Sequence, residues 1–141
     1  MSNVMSLAKR LAVVFGMIIL IALAHIFRIG SYLEGRWYDL YYSFFSDLVL
    51  PFACYFMLSA DEIWIPILRR WEVKAAIAFL IPSIAETCQY FGIPVLGSTF
   101  DLLDYLMYGI GAMSAVVVDT QVFSRVFGFW SVEKMEDRFP S

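Results

Sequence analysis

Glu86 and Gln89 lie three residues apart in the stretch IAETCQYF, and Asp101 and Asp104 lie three apart in FDLLDYLMYGIG. That spacing puts each pair on one face of a helix. Asp47 sits inside an apolar run of its own. Carboxylates and an amide grouped in this way can accept hydrogen bonds from the polar head of a ligand or, joined by His25, surround a hard cation. Mg²⁺, Ca²⁺ or Mn²⁺ would suit the carboxylates, whereas a lone His fits zinc poorly. No H-E-x-x-H spacing, nucleophile–base pairing or nucleotide-binding loop accompanies them. The expectation is a ligand-binding set made of Asp47, Glu86, Gln89, Asp101 and Asp104, with no metal, no cofactor, and binding favoured over catalysis.

These residues stand in a chain of 141 residues of which 61% are hydrophobic and only 16% charged. Soluble domains carry closer to a quarter charged residues. The composition therefore reads as an all-α polytopic membrane protein forming a single transmembrane domain over 1–141. There is no basic patch dense enough for nucleic acid. Cys54 and Cys88 fall in opposite halves of their spans, so no disulfide between them is expected.

A membrane-crossing helix needs about 20 mostly apolar residues to cover ~30 Å of hydrocarbon. Four segments meet that need, at about 7–27, 41–58, 74–91 and 100–118, giving a four-transmembrane-helix bundle. The second and third each contain an acid and a proline: Asp47 with Pro51, and Glu86 with Pro82. The first reads as a span rather than a signal peptide, because its apolar run is long for a signal. Eight of the ten Lys and Arg fall on one side of this layout: Lys9, Arg10, Arg69, Arg70, Lys74, Arg125, Lys134 and Arg138. The excess places both termini in the cytoplasm.

Shorter elements complete the layout. Residues 61–73, DEIWIPILRRWEV, read as an interfacial helix with Ile63, Trp64, Ile67, Leu68 and Trp71 on one face and Pro66 bending it. Ser59 and Glu62 have the spacing of a capping box at its start. Val122, Phe123, Val126, Phe127 and Trp130 form a second membrane-anchoring stripe, within a cytoplasmic tail from about 120 to 141. Trp37, Tyr38, Tyr41 and Tyr42 form an outer aromatic belt.

With this topology every span brings polar groups to the outer end, and the inner half of the bundle shows nothing comparable apart from Asp119 at its rim. A charge at membrane depth costs roughly 2.5–3.5 kcal/mol at a helix centre, less near the interface. Glu86 and Asp47 should bear most of that cost. Glu86 needs a partner, and Gln89, Asp104 and Arg28 are the candidates. Asp101 also reads as an N-cap, Gln89 as interhelical glue, and Gly109, Gly111, Ala112 and Ala115 as a face for close helix approach.

Over Glu86 to Gly111 the sequence resembles the VanZ-like family of small bacterial membrane proteins. Glu86 and Gln89 match that family's Glu-x-x-Gln pair, Pro94 its loop, Phe100, Asp101 and Asp104 the opening of its next span, and Gly111 its Gly-rich tail. The chain departs from the pattern in lacking an Arg between Gly92 and Thr99 and in placing Tyr108 where the family often has Asn. The resemblance implies an outward-facing role at the cell envelope rather than a particular reaction. Two functions compete. One is an intramembrane polar site that binds or processes a lipid-linked or amphiphilic cell-envelope molecule. The other is an accessory subunit held by other membrane protein subunits.

Overall fold

The computed structural model describes residues 2–93, 95 and 101–130. Pro94, Phe100 and the tail from Ser131 onward, all used in the sequence reading, lie outside the described residues. The described chain is helical: α1 (Ser2–Ile26), α2 (Arg36–Ala60), α3 (Trp71–Tyr90) and α4 (Leu102–Val117), with short 3₁₀ turns between them. No strand occurs among the described residues. Three stretches are long and apolar enough to cross a membrane: Met5–Ile26, Arg36–Ile63 and Leu102–Val126. Helices of this length and composition are those of a membrane protein. The fourth, α3, has 20 residues but also carries Glu72, Lys74 and Glu86, and its composition falls short.

Close packing of α2 on α4 forms the centre. A β-carbon on Gly111 would lie 2.1 Å from the Leu48 carbonyl oxygen and 2.7 Å from Pro51 Cγ. Only glycine lets the two backbones approach this closely. Tyr55, Phe56, Ala78, Ala112 and Ala115 fill the core beside that contact. Helix α3 packs on both α2 and α4, whereas α1 packs chiefly on α2 and leaves Phe15, Ile19, Leu20 and Leu23 exposed. Helix α3 stops at a Schellman motif. Gly92 adopts φ 78°, and the N–H of Ile93 reaches back to the Cys88 carbonyl at 2.9 Å.

Three expected features take another form. No continuous helix covers 61–73. Asp61–Ile63 and Pro66–Arg69 are separate 3₁₀ turns, and α3 already starts at Trp71. The proline is the cause, because it drives Ile65 out of the helical region to φ −121°, ψ 92°. Ser59 and Glu62 form no capping box, since both side chains are taken up by longer-range partners described below. The helix of α4 does not end near 118 but runs through a π-helical turn, Val118–Phe123, into α5, Ser124–Val126. The stripe that follows is not all turned to lipid. Trp130 is buried, and Phe123 stacks edge-on against it at 4.7 Å, while Val122 and Val126 remain exposed. Cys54 and Cys88 are both free thiols.

Helices α1 and α3 run one way and α2 and α4 the other. Asp47, Glu86, Asp101 and Asp104 therefore come to one end of the bundle, here the carboxylate end. Arg10, Glu62, Lys74 and Asp119 come to the opposite end, the lysine end.

Candidate functional site

The carboxylate end contains a cleft of about 720 Å³ to which all four helices contribute. Asp47, Glu86, Gln89, Asp101 and Asp104 all line it, with His25 and Tyr108. The structure therefore brings together the whole set singled out from the sequence.

Glu86 is almost fully buried, with 2% of its surface exposed. Its partners are neither Gln89, Asp104 nor Arg28. Its Oε1 accepts from the backbone N–H of Asp101 at 2.9 Å, and its Oε2 accepts from the Tyr108 hydroxyl at 3.4 Å. The Asp101 carboxylate in turn accepts from the N–H of Leu103 at 2.9 Å and caps α4. Glu86 and Asp101 thus tie the end of α3 to the start of α4. A second tie is the 2.8 Å hydrogen bond between the Thr87 and Tyr105 hydroxyls. Gln89 donates from Nε2 to the Val95 carbonyl at 2.7 Å, so its amide holds the loop rather than a neighbouring helix. Its Oε1 is buried with no donor.

Asp47 and Asp104 stand differently. Both line the cleft, Asp47 from α2 and Asp104 from α4. Two carboxylates are both acceptors, so neither can satisfy the other unless a proton or a cation lies between them. Pro51 has no N–H to offer the carbonyl four residues back, that of Asp47. His25 is engaged with the Ser46 hydroxyl at 3.0 Å. Below this polar rim the walls are apolar, built from Ile18, Ile21 and Ala22 of α1 and Val49, Leu50 and Ala53 of α2. Among the described residues no three His, Cys, Asp or Glu side chains are placed to hold one metal ion.

The lysine end overturns the expectation that this half of the bundle shows nothing comparable apart from Asp119 at its rim. Lys74, 2% exposed, uses its three ammonium donors on Glu62, on Asp119 Oδ2 at 2.7 Å and on Ser59 Oγ at 3.1 Å. Its ammonium also lies 4.6 Å from the centre of the Tyr55 ring. Asp119 further accepts from the Tyr55 hydroxyl and the Trp130 indole N–H, each at 2.6 Å. Arg10, 1% exposed, binds Glu62 at 2.5 Å and stacks over Trp130 at 4.9 Å. Two cations and two anions balance, and they join α1, the 3₁₀ turn after α2, α3 and the α4 extension. The π-helical turn at 118–123 carries Asp119 into this set. Sequence reasoning counted Arg10 and Lys74 as charges beside the membrane. Their most distant partners lie 52 and 45 residues away, a separation that no local pattern reports. The available hint was Lys74 at the very start of an apolar span.

No family model, curated protein or solved structure matches this chain.

Proposed function

We propose that this chain is a four-helix, VanZ-like integral membrane protein of a prokaryotic inner membrane, and that its carboxylate-end cleft binds a lipid-linked or amphiphilic cell-envelope molecule. In this reading α3 crosses the bilayer as well, with Lys74 and Glu86 turned into the bundle and Glu72 exposed at its starting end. Both termini lie in the cytoplasm, following the excess of Lys and Arg, so that the cleft faces outward. The observation that carries the reading is the division of the cleft into a rim of acceptors and an apolar wall. A ligand with a polar head and a hydrocarbon tail satisfies both, and sites of this size commonly hold such molecules. The ties from Glu86 to Asp101 and Tyr108 give the rim a fixed geometry.

The test is the amphiphile content of the purified full chain. Mass spectrometry of material extracted with the protein should show one species enriched over the bulk membrane. The enrichment should fall in Asp104→Ala at unchanged expression. If nothing is enriched, or if Asp104→Ala and Glu86→Ala retain the enrichment fully, the site reading is wrong. Orientation is tested separately, with reporter fusions at each terminus. An active periplasmic reporter at either one would reverse the topology.

A further inference from the structure

The charge of the cleft narrows the ligand, provided the cleft is the binding site proposed above. Four of its lining side chains are carboxylic acids, and none is Lys or Arg. The one imidazole, His25, is hydrogen-bonded to Ser46. Glu86 and Asp101 are satisfied by backbone N–H groups and a hydroxyl. Asp47 and Asp104 line the same cleft from α2 and α4, and Gln89 Oε1 is buried without a donor. The rim therefore has acceptors to spare and no cation to balance them. At the lysine end the same protein pairs every buried carboxylate with a cation of its own, so the missing cation at the cleft is a local property. A phosphate, sulfate or carboxylate head would meet only acceptors and like charge. An ammonium head supplies three donors and one positive charge, which match the Asp47–Asp104 pair.

We infer that the cleft takes a cationic amphiphile, an alkyl chain with a primary ammonium head. The head lies between Asp47 and Asp104, and the chain lies along Ile18, Ile21 and Ala22 of α1 and Leu50 and Ala53 of α2. Each of the two carboxylates contributes a charge-assisted hydrogen bond.

The experiment uses the full chain in phosphatidylcholine nanodiscs, with radiolabelled dodecylamine, dodecanol and dodecyl phosphate as probes and empty nanodiscs subtracted. Dodecylamine should bind saturably and at least about tenfold more tightly than dodecanol, the scale of one charge-assisted hydrogen bond. Dodecyl phosphate should not bind. The isosteric Asp47→Asn, Asp104→Asn double variant should lose the preference for the amine, with circular dichroism unchanged. Equal binding of dodecylamine and dodecanol, or an amine preference that survives in the double variant, overturns the cationic class and leaves the amphiphile reading standing. Absence of saturable binding by all three overturns both. Replacing part of the bilayer with phosphatidylethanolamine separates two sources of the same chemistry. Displacement of dodecylamine assigns the ammonium to a membrane lipid, and its retention assigns it to a free amine. Either result supports the inference.

Discussion

The two ends of the bundle place similar numbers of charges in a hydrophobic protein by opposite rules. At the lysine end both signs are present, every carboxylate has a cation, and the side chains are closed off from solvent. At the carboxylate end one sign predominates, some acceptors have no donor, and a cleft of about 720 Å³ runs between the helices. The first arrangement balances its charges and ties elements together, although Arg10 Nε and Nη1 are buried without an acceptor. The second is complete only with something added. Burial of charge alone does not separate them, since Glu86 and Lys74 are equally buried. The balance of sign and the presence of space do.

Neutralising substitutions at the two ends should therefore act in opposite ways. The largest effect is expected from Lys74→Met. It leaves Glu62 and Asp119 facing each other's end of the network without their shared cation, a loss of about 3–5 kcal/mol for breaking a buried pair. Thermal unfolding in detergent would show it as a markedly lower midpoint, and an unchanged midpoint would mean that the network does not hold the bundle. Next is Gly111→Val, which pushes against the Leu48 carbonyl and Pro51. Overpacking of this kind costs about 1–3 kcal/mol, read as reduced thermal stability, with ligand binding altered because Asp47 lies just before this contact. Asp101→Ala removes the cap on Leu103 and should cost ~1 kcal/mol. Asp101→Asn should recover most of it, because the cap needs an acceptor rather than a charge. Smallest in stability is Asp104→Asn, with a change within about 0.5 kcal/mol but weakened amine binding. If Asp104→Asn destabilised the fold as much as Lys74→Met, the distinction between the two ends would collapse.

Much of this was visible beforehand, and the reason differs by element. Asp47, Glu86, Gln89, Asp101 and Asp104 stood out because an acid or amide in an apolar run is costly and its depth follows from the helix direction. Spacing of three then gave the shared faces. Gly111 was identified as a close-approach residue, although only the structure shows Leu48 and Pro51 as what it admits. The roles of the site residues were less legible. Glu86 binds a backbone N–H and a tyrosine rather than the side chains anticipated. Gln89 holds the loop at Val95. The 61–73 stretch has helical periodicity, but Pro66 breaks it into two turns. Trp130 reads as an anchoring residue by type, yet it is closed over by Arg10 and Phe123.

Composition and patterning by themselves determined that the chain is helical and membrane-borne, and that Asp47, Glu86, Asp101 and Asp104 cluster at one end. These properties depend on local transfer free energy and helix periodicity, which each segment carries alone. Tertiary structure decided which charges are finished and which are not. Lys74 and Arg10 look like ordinary flanking cations until residues up to 52 positions away close around them. The Asp47–Asp104 pair looks like two unrelated acids until α2 and α4, packed tightly at Gly111, bring them together. A charge's partner is set by packing between helices, and a single helix contains no record of it.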